Sequence, residues 1–365
     1  MLAPVAGPAL GVAPVAVGYF IAIAYAGSMI GSAAAGGWVA RFGPIRVSQV
    51  ALFLCFCGLA LAASAWPPCV LLGAFVVGLG YGPATPASSV ILVRSAPPSM
   101  FSLIFSIKQT GVPAGGVLAG ALVPALVLAA GWEWTAMLIG VCCFALALLI
   151  APARARYDTN LNPAAPISLR AALQPLALVA RTPGLREMAV TSFVYGGVQI
   201  TLVTYLVTFL IDIFAVTLVL AGIVMAVSQA ASVVGRIVWG ALADRVVARR
   251  TLLGLLGLGM GVSAVATLAA GPDWPGWLLF TFASLFGATA VGWNGVFLAE
   301  VARIAPQGMV SQATGGCLFF TFLGVVVTPP LFNLLLALGG SYGLAYALLG
   351  LPGMIVGARL LLRPR

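Results

Sequence analysis

Eleven apolar stretches, most of them near the ~20 residues that a helix needs to cross hydrocarbon, dominate this chain of 365 residues: 15–39, 47–66, 69–93, 101–130, 134–150, 187–211, 216–243, 251–270, 274–302, 310–338 and 342–362. With 62% hydrophobic residues, 7% charged residues and a mean hydropathy of +1.16, the chain has no polar shell for a soluble domain of this size. Turn signals separate several stretches, among them Gly43-Pro44, Pro67-Pro68, Pro97-Pro98 and Gly271-Pro272. The expected fold class is therefore an all-α polytopic membrane protein.

The basic residues orient it. Of the 17, all but Lys108 and Arg236 fall in or beside alternate connections, from Arg41 and Arg46 through Arg245, Arg249 and Arg250 to Arg359. The connections between carry Glu133, Asp212 and Asp273 and neither Lys nor Arg. This asymmetry places the arginine-bearing loops and the C-terminus in the cytoplasm. The formal charge of +10 then follows from arginines meeting anionic headgroups, so the implied partner is the lipid bilayer and not a nucleic acid. Six cysteines lie in apolar stretches without ligand spacing, and His is absent. Metal sites, cofactors and His-based catalysis are not expected, and the thiols read as packing residues. The preference for Arg over Lys, with abundant Ala and Gly, suggests a GC-rich bacterial genome and hence an inner-membrane protein.

The chain divides into an N-terminal helical region 1–152, a polar linker 153–186 with an amphipathic helix expected over 168–180, and a C-terminal six-helix region 187–365. The two helical regions repeat each other. Gly36 and Arg41 correspond to Gly240 and Arg245 at a shift of 204, and Arg94, Ala96, Pro97, Met100 and Ser102 correspond to Arg303, Ala305, Pro306, Met309 and Ser311 at a shift of 209. Parallel repeats of this size suggest two helix bundles with a site near mid-membrane.

Gly240, Asp244, Arg245, Arg249 and Arg250 resemble the G-x-x-x-D-[RK] loop of the Major Facilitator Superfamily. The first copy keeps Gly36, Arg41, Gly43 and Arg46 but has Ala40 where the family carries Asp. The resemblance implies a two-bundle fold of twelve spans, of which 11 are recognisable here. Only 35 residues precede Gly36, against 57 between Pro183 and Gly240, so about one span of 20 residues is missing. Residues 1–11 read like the outer end of that span, and a late start codon is the expected cause.

Ionisable side chains inside spans are costly and usually face a cavity. Arg236 lies eight residues before Asp244, ~12 Å along a helix, and shares a face with Ser232 and Gln229. The stretch from Arg236 to Gly240 also resembles the R-x-x-x-G of anion carriers in this superfamily, which implies an Arg facing the substrate's negative group. The alternative is that Arg236 pairs with a motif acid or a helix end. Lys108, the single lysine, is read either as a substrate contact or as a snorkelling side chain. Gln199, Tyr205 and Asn294 are further lining candidates, as are Tyr195, Thr201 and Trp293, each with interhelical hydrogen bonding as its alternative. Gly111, Gly115, Gly116 and Gly120 form G-x-x-x-G pairs expected to allow close helix packing.

These features point to a secondary transporter working by alternating access on a small organic anion, a carboxylate, as a monomer, with a co-transported proton as a candidate partner. Efflux of hydrophobic drug-like compounds is the alternative if Lys108 and Arg236 are structural. A membrane sensor or scaffold without transport is a further reading. No activated nucleophile or metal cluster suggests an enzyme.

Overall fold

The computed structural model describes residues 9–11 and 17–362. Every regular element among them is helical, and the long helices are α1 Val17–Phe42, α2 Pro44–Ala62, α3 Pro67–Ser95, α4 Phe101–Gln109, α5 Gly111–Leu149, α6 Pro183–Phe214, α7 Leu218–Arg245, α8 Arg249–Ala266, α9 Gly276–Ala290, α10 Asn294–Ile304, α11 Val310–Ala337 and α12 Tyr342–Leu362. Among the described residues, ten stretches are long and apolar enough to cross a membrane. The expected division between segments 101–130 and 134–150 falls at a break in the helix, at Gly131. Thr110 lies between α4 and α5, and α5 is kinked at Gly131, whose φ of 85° and ψ of 166° are not helical and suit glycine. Of the expected end of a missing span, 1–11, only residues 9–11 are described.

Proline sets several starts. Pro44 opens α2, Pro67 opens α3 and Pro183 opens α6, positions where the missing N–H would have no helical partner anyway. The repeat seen in the sequence is kept in space along the chain: both glycine–arginine loops close a helix, α1 and α7, while Ser102 and Ser311 each stand second in a helix, α4 and α11.

The chain forms two compact units. The first comprises 1–95, 114–186 and 304–323, and the second comprises 96–113, 187–303 and 324–365. Within the first, α3 packs on both α1 and α2. Glycines set that approach: a Cβ on Gly31 would come within 2.6 Å of the Leu79 carbonyl oxygen, and one on Gly82 within 2.6 Å of the Ser32 nitrogen. The linker wraps the first loop copy. Asn162 N donates to Ala40 O at 2.8 Å, and Asp158 accepts from the N–H groups of Ile45 (2.8 Å) and Arg46 (3.1 Å) at the start of α2. The amphipathic helix expected over 168–180 is instead two short helices, Leu169–Ala172 and Gln174–Arg181, the second opening with Pro175 in its first turn. A proline cannot continue the preceding helix, which explains the break.

In the second unit α8 lies along α12, and α7 lies along α9 and α4. Tyr195 donates across helices to Leu253 O at 2.8 Å, and Thr201 bonds Gly197 O within its own helix, so both expected lining groups are taken up in packing. Gly111, Gly115 and Gly116 are exposed and a Cβ on any of them would meet nothing within 4 Å, which corrects their expected role in close packing. The side chain at the fourth position, 120, lies outside the described set.

Gly31→Leu should therefore overpack the α1–α3 contact and cost roughly 1–3 kcal/mol, whereas Gly115→Leu should change stability by no more than about 0.5 kcal/mol. Thermal unfolding of both variants in detergent measures the contrast.

Candidate functional site

Two helix breaks inside the second unit build the site. Helix α4 stops at Gln109, and α9 stops at Ala290, with Val291 as its C-cap and a turn over 291–293 before α10. Each break releases terminal carbonyls from i+4 bonding. In hydrocarbon, an unsatisfied carbonyl costs several kcal/mol. A donor must reach them.

That donor is Arg236 on α7, only 2% exposed. Its Nε and Nη2 donate to Val291 O at 3.1 and 3.0 Å, and its Nη1 donates to Gln109 O. One guanidinium thus caps the C-terminal ends of two helices. Asn294 Nδ2 donates to the same Val291 oxygen at 3.2 Å and to Gln199 Oε1 at 3.1 Å, where Trp293 Nε1 also donates at 3.1 Å. On the other side, Lys108 Nζ donates to Gln109 Oε1 at 3.1 Å. A continuous polar network runs from Lys108 through Gln109, Arg236, Val291 O and Asn294 to Gln199.

Four of the sequence-derived site residues, Lys108, Arg236, Asn294 and Gln199, therefore meet in one network. Ser232 is buried and turns its hydroxyl to Gln229 O of its own helix at 2.7 Å, while Gln229 is half-buried. Tyr205 stands apart: its hydroxyl donates to Pro329 O at 3.0 Å and its ring stacks on Phe332 at 4.2 Å. Sequence reasoning missed Gln109 and the Val291 carbonyl. The adjacent Lys108-Gln109-Thr110-Gly111 and Val291-Gly292-Trp293-Asn294 were the available signals, a glycine beside polar groups inside apolar runs.

The basic loop of the second half grips the other end of α4. Asp244 accepts from Ser102 N and Leu103 N, both at 2.9 Å, and pairs with Arg249 at 3.2 Å. Arg249 Nε also donates to Ser102 Oγ at 2.5 Å. Between these ends a Cβ on Gly240 would come within 2.6 Å of Ser106 Oγ, so only glycine lets α4 lie this close to α7. The nine residues of α4 span ~13.5 Å, and the eight residues from Arg236 to Asp244 span ~12 Å, at 1.5 Å per residue. One helix accordingly offers an anion to the positive end of α4 and a cation to its negative end. Arg245 is exposed beside this clamp.

The first loop copy, inside the first unit, keeps half of this arrangement. A Cβ on Gly36 would come within 3.1 Å of Gln312 Cα near the start of α11, as Gly240 approaches α4. Ala40 supplies no carboxylate, and Ser311 Oγ and Thr314 Oγ1 are buried without a hydrogen-bond partner. Asp244→Asn should lower stability by about 1–2 kcal/mol through its lost cap. Ala40→Asp should raise it by roughly 0.5–1 kcal/mol, since an acid near a helix start is favoured. Paired melting curves check both signs.

Residues 1–329 match the sequence profile described as Major Facilitator Superfamily. The probable nitrate/nitrite transporter NarK2 of Mycobacterium tuberculosis is 35% identical over 144 residues, 39% of this chain and 35% of the relative, so the match spans about a third of that protein's length. Among solved structures, the Major Facilitator Superfamily transporter FucP in the outward conformation aligns with a TM-score of 0.76 at 18% identity, covering 98% of this chain and 92% of that one. The human organic anion transporter MFSD10 aligns with a TM-score of 0.73 at 16% identity, covering 98% and 88%. At such identities the structural likeness is one of fold. The profile match over 1–329 settles the family: this multi-pass membrane protein belongs to the Major Facilitator Superfamily.

Proposed function

We propose that the chain is a secondary active transporter, working by alternating access, that carries a small planar oxyanion at Arg236 and Lys108. The supporting observation is that both cations bond to the same residue, Gln109, one at its backbone oxygen and one at its side chain. Those two bonds end on a backbone carbonyl and a side-chain amide oxygen of one residue, which brings the two cations together. A carboxylate suits this site, because its two oxygens match the planar fork of a guanidinium. Nitrate and nitrite, named for the M. tuberculosis relative, share this geometry and belong to the same class of candidates.

In this reading an entering anion competes with the carbonyls of Gln109 and Val291 for Arg236. Binding then loosens the C-terminal hold on α4 while Asp244 keeps the N-terminal one. This gives the substrate a differential interaction with two arrangements of α4, which a conformational cycle requires. A proton is the proposed coupling ion. Moving one negative charge into a negative-inside cell costs about 2.3 kcal/mol per 100 mV, so an anion taken up needs a cation beside it.

Lys108→Gln is the cleanest test, since it leaves both helix-end carbonyls and Arg236 in place. Ligand-induced thermal stabilisation by carboxylates and nitrate should reach about 2.7 kcal/mol at a hundredfold excess over Kd in the parent. The variant should bind about tenfold more weakly, equivalent to about 1.4 kcal/mol. Arg236→Lys, which keeps the charge and loses the fork, should bind more weakly still. Stabilisation by hydrophobic compounds alone, equal in all three proteins, would instead support drug efflux and a purely structural Arg236.

A further inference from the structure

The two copies of the basic loop differ in where their arginines are spent. In the second copy, Arg249 pairs with Asp244 at 3.2 Å and Arg250 with Glu187 at 2.9 Å. The first copy has Ala40 in place of the acid. Asp158 comes close, but its carboxylate is taken by the N–H groups of Ile45 and Arg46 and by Arg154 at 3.4 Å. Among the described residues, no carboxylate lies within 4.0 Å of the guanidinium of Arg41 or Arg46.

Beside Arg46 lies an apolar cleft of about 140 Å³, lined by Trp38, Phe42, Arg46, Val47 and Val50. Trp38 and Phe42 stand one turn apart on α1, and Arg46 and Val50 one turn apart on α2, so two helix faces form its walls. Trp38 is 38% and Phe42 40% exposed, while Arg46 is exposed at the rim. The Arg41 guanidinium sits over the ring of Phe42, one of the lining residues, 5.6 Å from its centroid. Asp158 fixes the backbone at Arg46, so one of the two cations is anchored at its root.

We propose that this cleft is a binding site for one anionic phospholipid of the arginine-bearing leaflet, with its phosphate between Arg41 and Arg46 and an acyl chain along Trp38, Val47 and Val50. Three features select this occupant. Guanidinium groups bind phosphate through paired donors. A Trp at the end of a membrane span marks headgroup depth. A basic rim over an apolar cleft between spans matches a lipid's charge above and its chain below. The site depends on Ala40: an acid there would compete for the arginines, as Asp244 does for Arg249.

The test uses the full chain in detergent, titrated with phosphatidylglycerol, phosphatidylcholine or glycerol 1-phosphate, and read by native mass spectrometry and thermal shift. Phosphatidylglycerol should bind selectively over phosphatidylcholine. Arg41→Gln and Arg46→Gln should each weaken that binding about fivefold, the size of one basic residue's attraction to an anionic surface, and 0.5 M salt should weaken it further. Arg359→Gln, another exposed arginine at the end of a span, should leave it unchanged. In bilayers, brominated phosphatidylglycerol should quench the fluorescence that Trp38→Phe removes more than brominated phosphatidylcholine does. That readout stands even where a variant folds poorly. Equal binding of the two lipids, affinity indifferent to Arg41 and Arg46, or equal stabilisation by glycerol 1-phosphate alone would each overturn the proposal.

Discussion

The carbonyls left bare where a membrane helix breaks are the constraint on which the second unit depends. Water cannot reach them in hydrocarbon, so a side chain must. Arg236 meets the demand twice, at Gln109 and at Val291, and the arginine is nearly fully buried to do so. Its position explains the neighbouring choices. Gly240 lets α4 approach, Asp244 holds the far end, and Asn294 shares the Val291 carbonyl. A cation placed to hold helix ends is also a cation held ready for an anion, and the proposed function rests on that coincidence.

Duplication has left two loops with one backbone plan and different chemistry. In the second, an acid is shared between a helix start and Arg249. In the first, Ala40 removes the acid, the linker's Asp158 caps a different helix, and two buried hydroxyls near the start of α11 stay unpartnered. The first copy gives up part of its internal clamp and presents its arginines outward. Their cost is small, because exposed guanidinium groups stay solvated or meet headgroups.

What was legible in the sequence is what depends on length and charge placement. Apolar runs separated by arginine-bearing loops fixed the helices, and the loop pair Gly36/Gly240 marked the ends of α1 and α7. Lys108, Arg236, Asn294 and Gln199 stood out because polar side chains are rare in such runs, and they meet in one network. What stayed hidden depends on backbone and on tertiary approach. No residue type announces that Val291 O is an acceptor, and Gly111 and Gly115 carry a packing spacing yet face open space. The same spacing rule fails because glycine serves close approach only where another helix arrives, as at Gly31 and Gly240. The linker helix was broken by Pro175, whose effect outweighed the amphipathic pattern around it.

Counterflow in proteoliposomes tests the account most directly. Vesicles loaded with unlabelled carboxylate or nitrate should accumulate the labelled anion transiently and saturably, a behaviour that requires a carrier alternating between two faces. The account predicts this for the parent protein and its loss in Arg236→Lys at unchanged vesicle incorporation. Anion accumulation that is linear in concentration, or that survives the substitution intact, would contradict it.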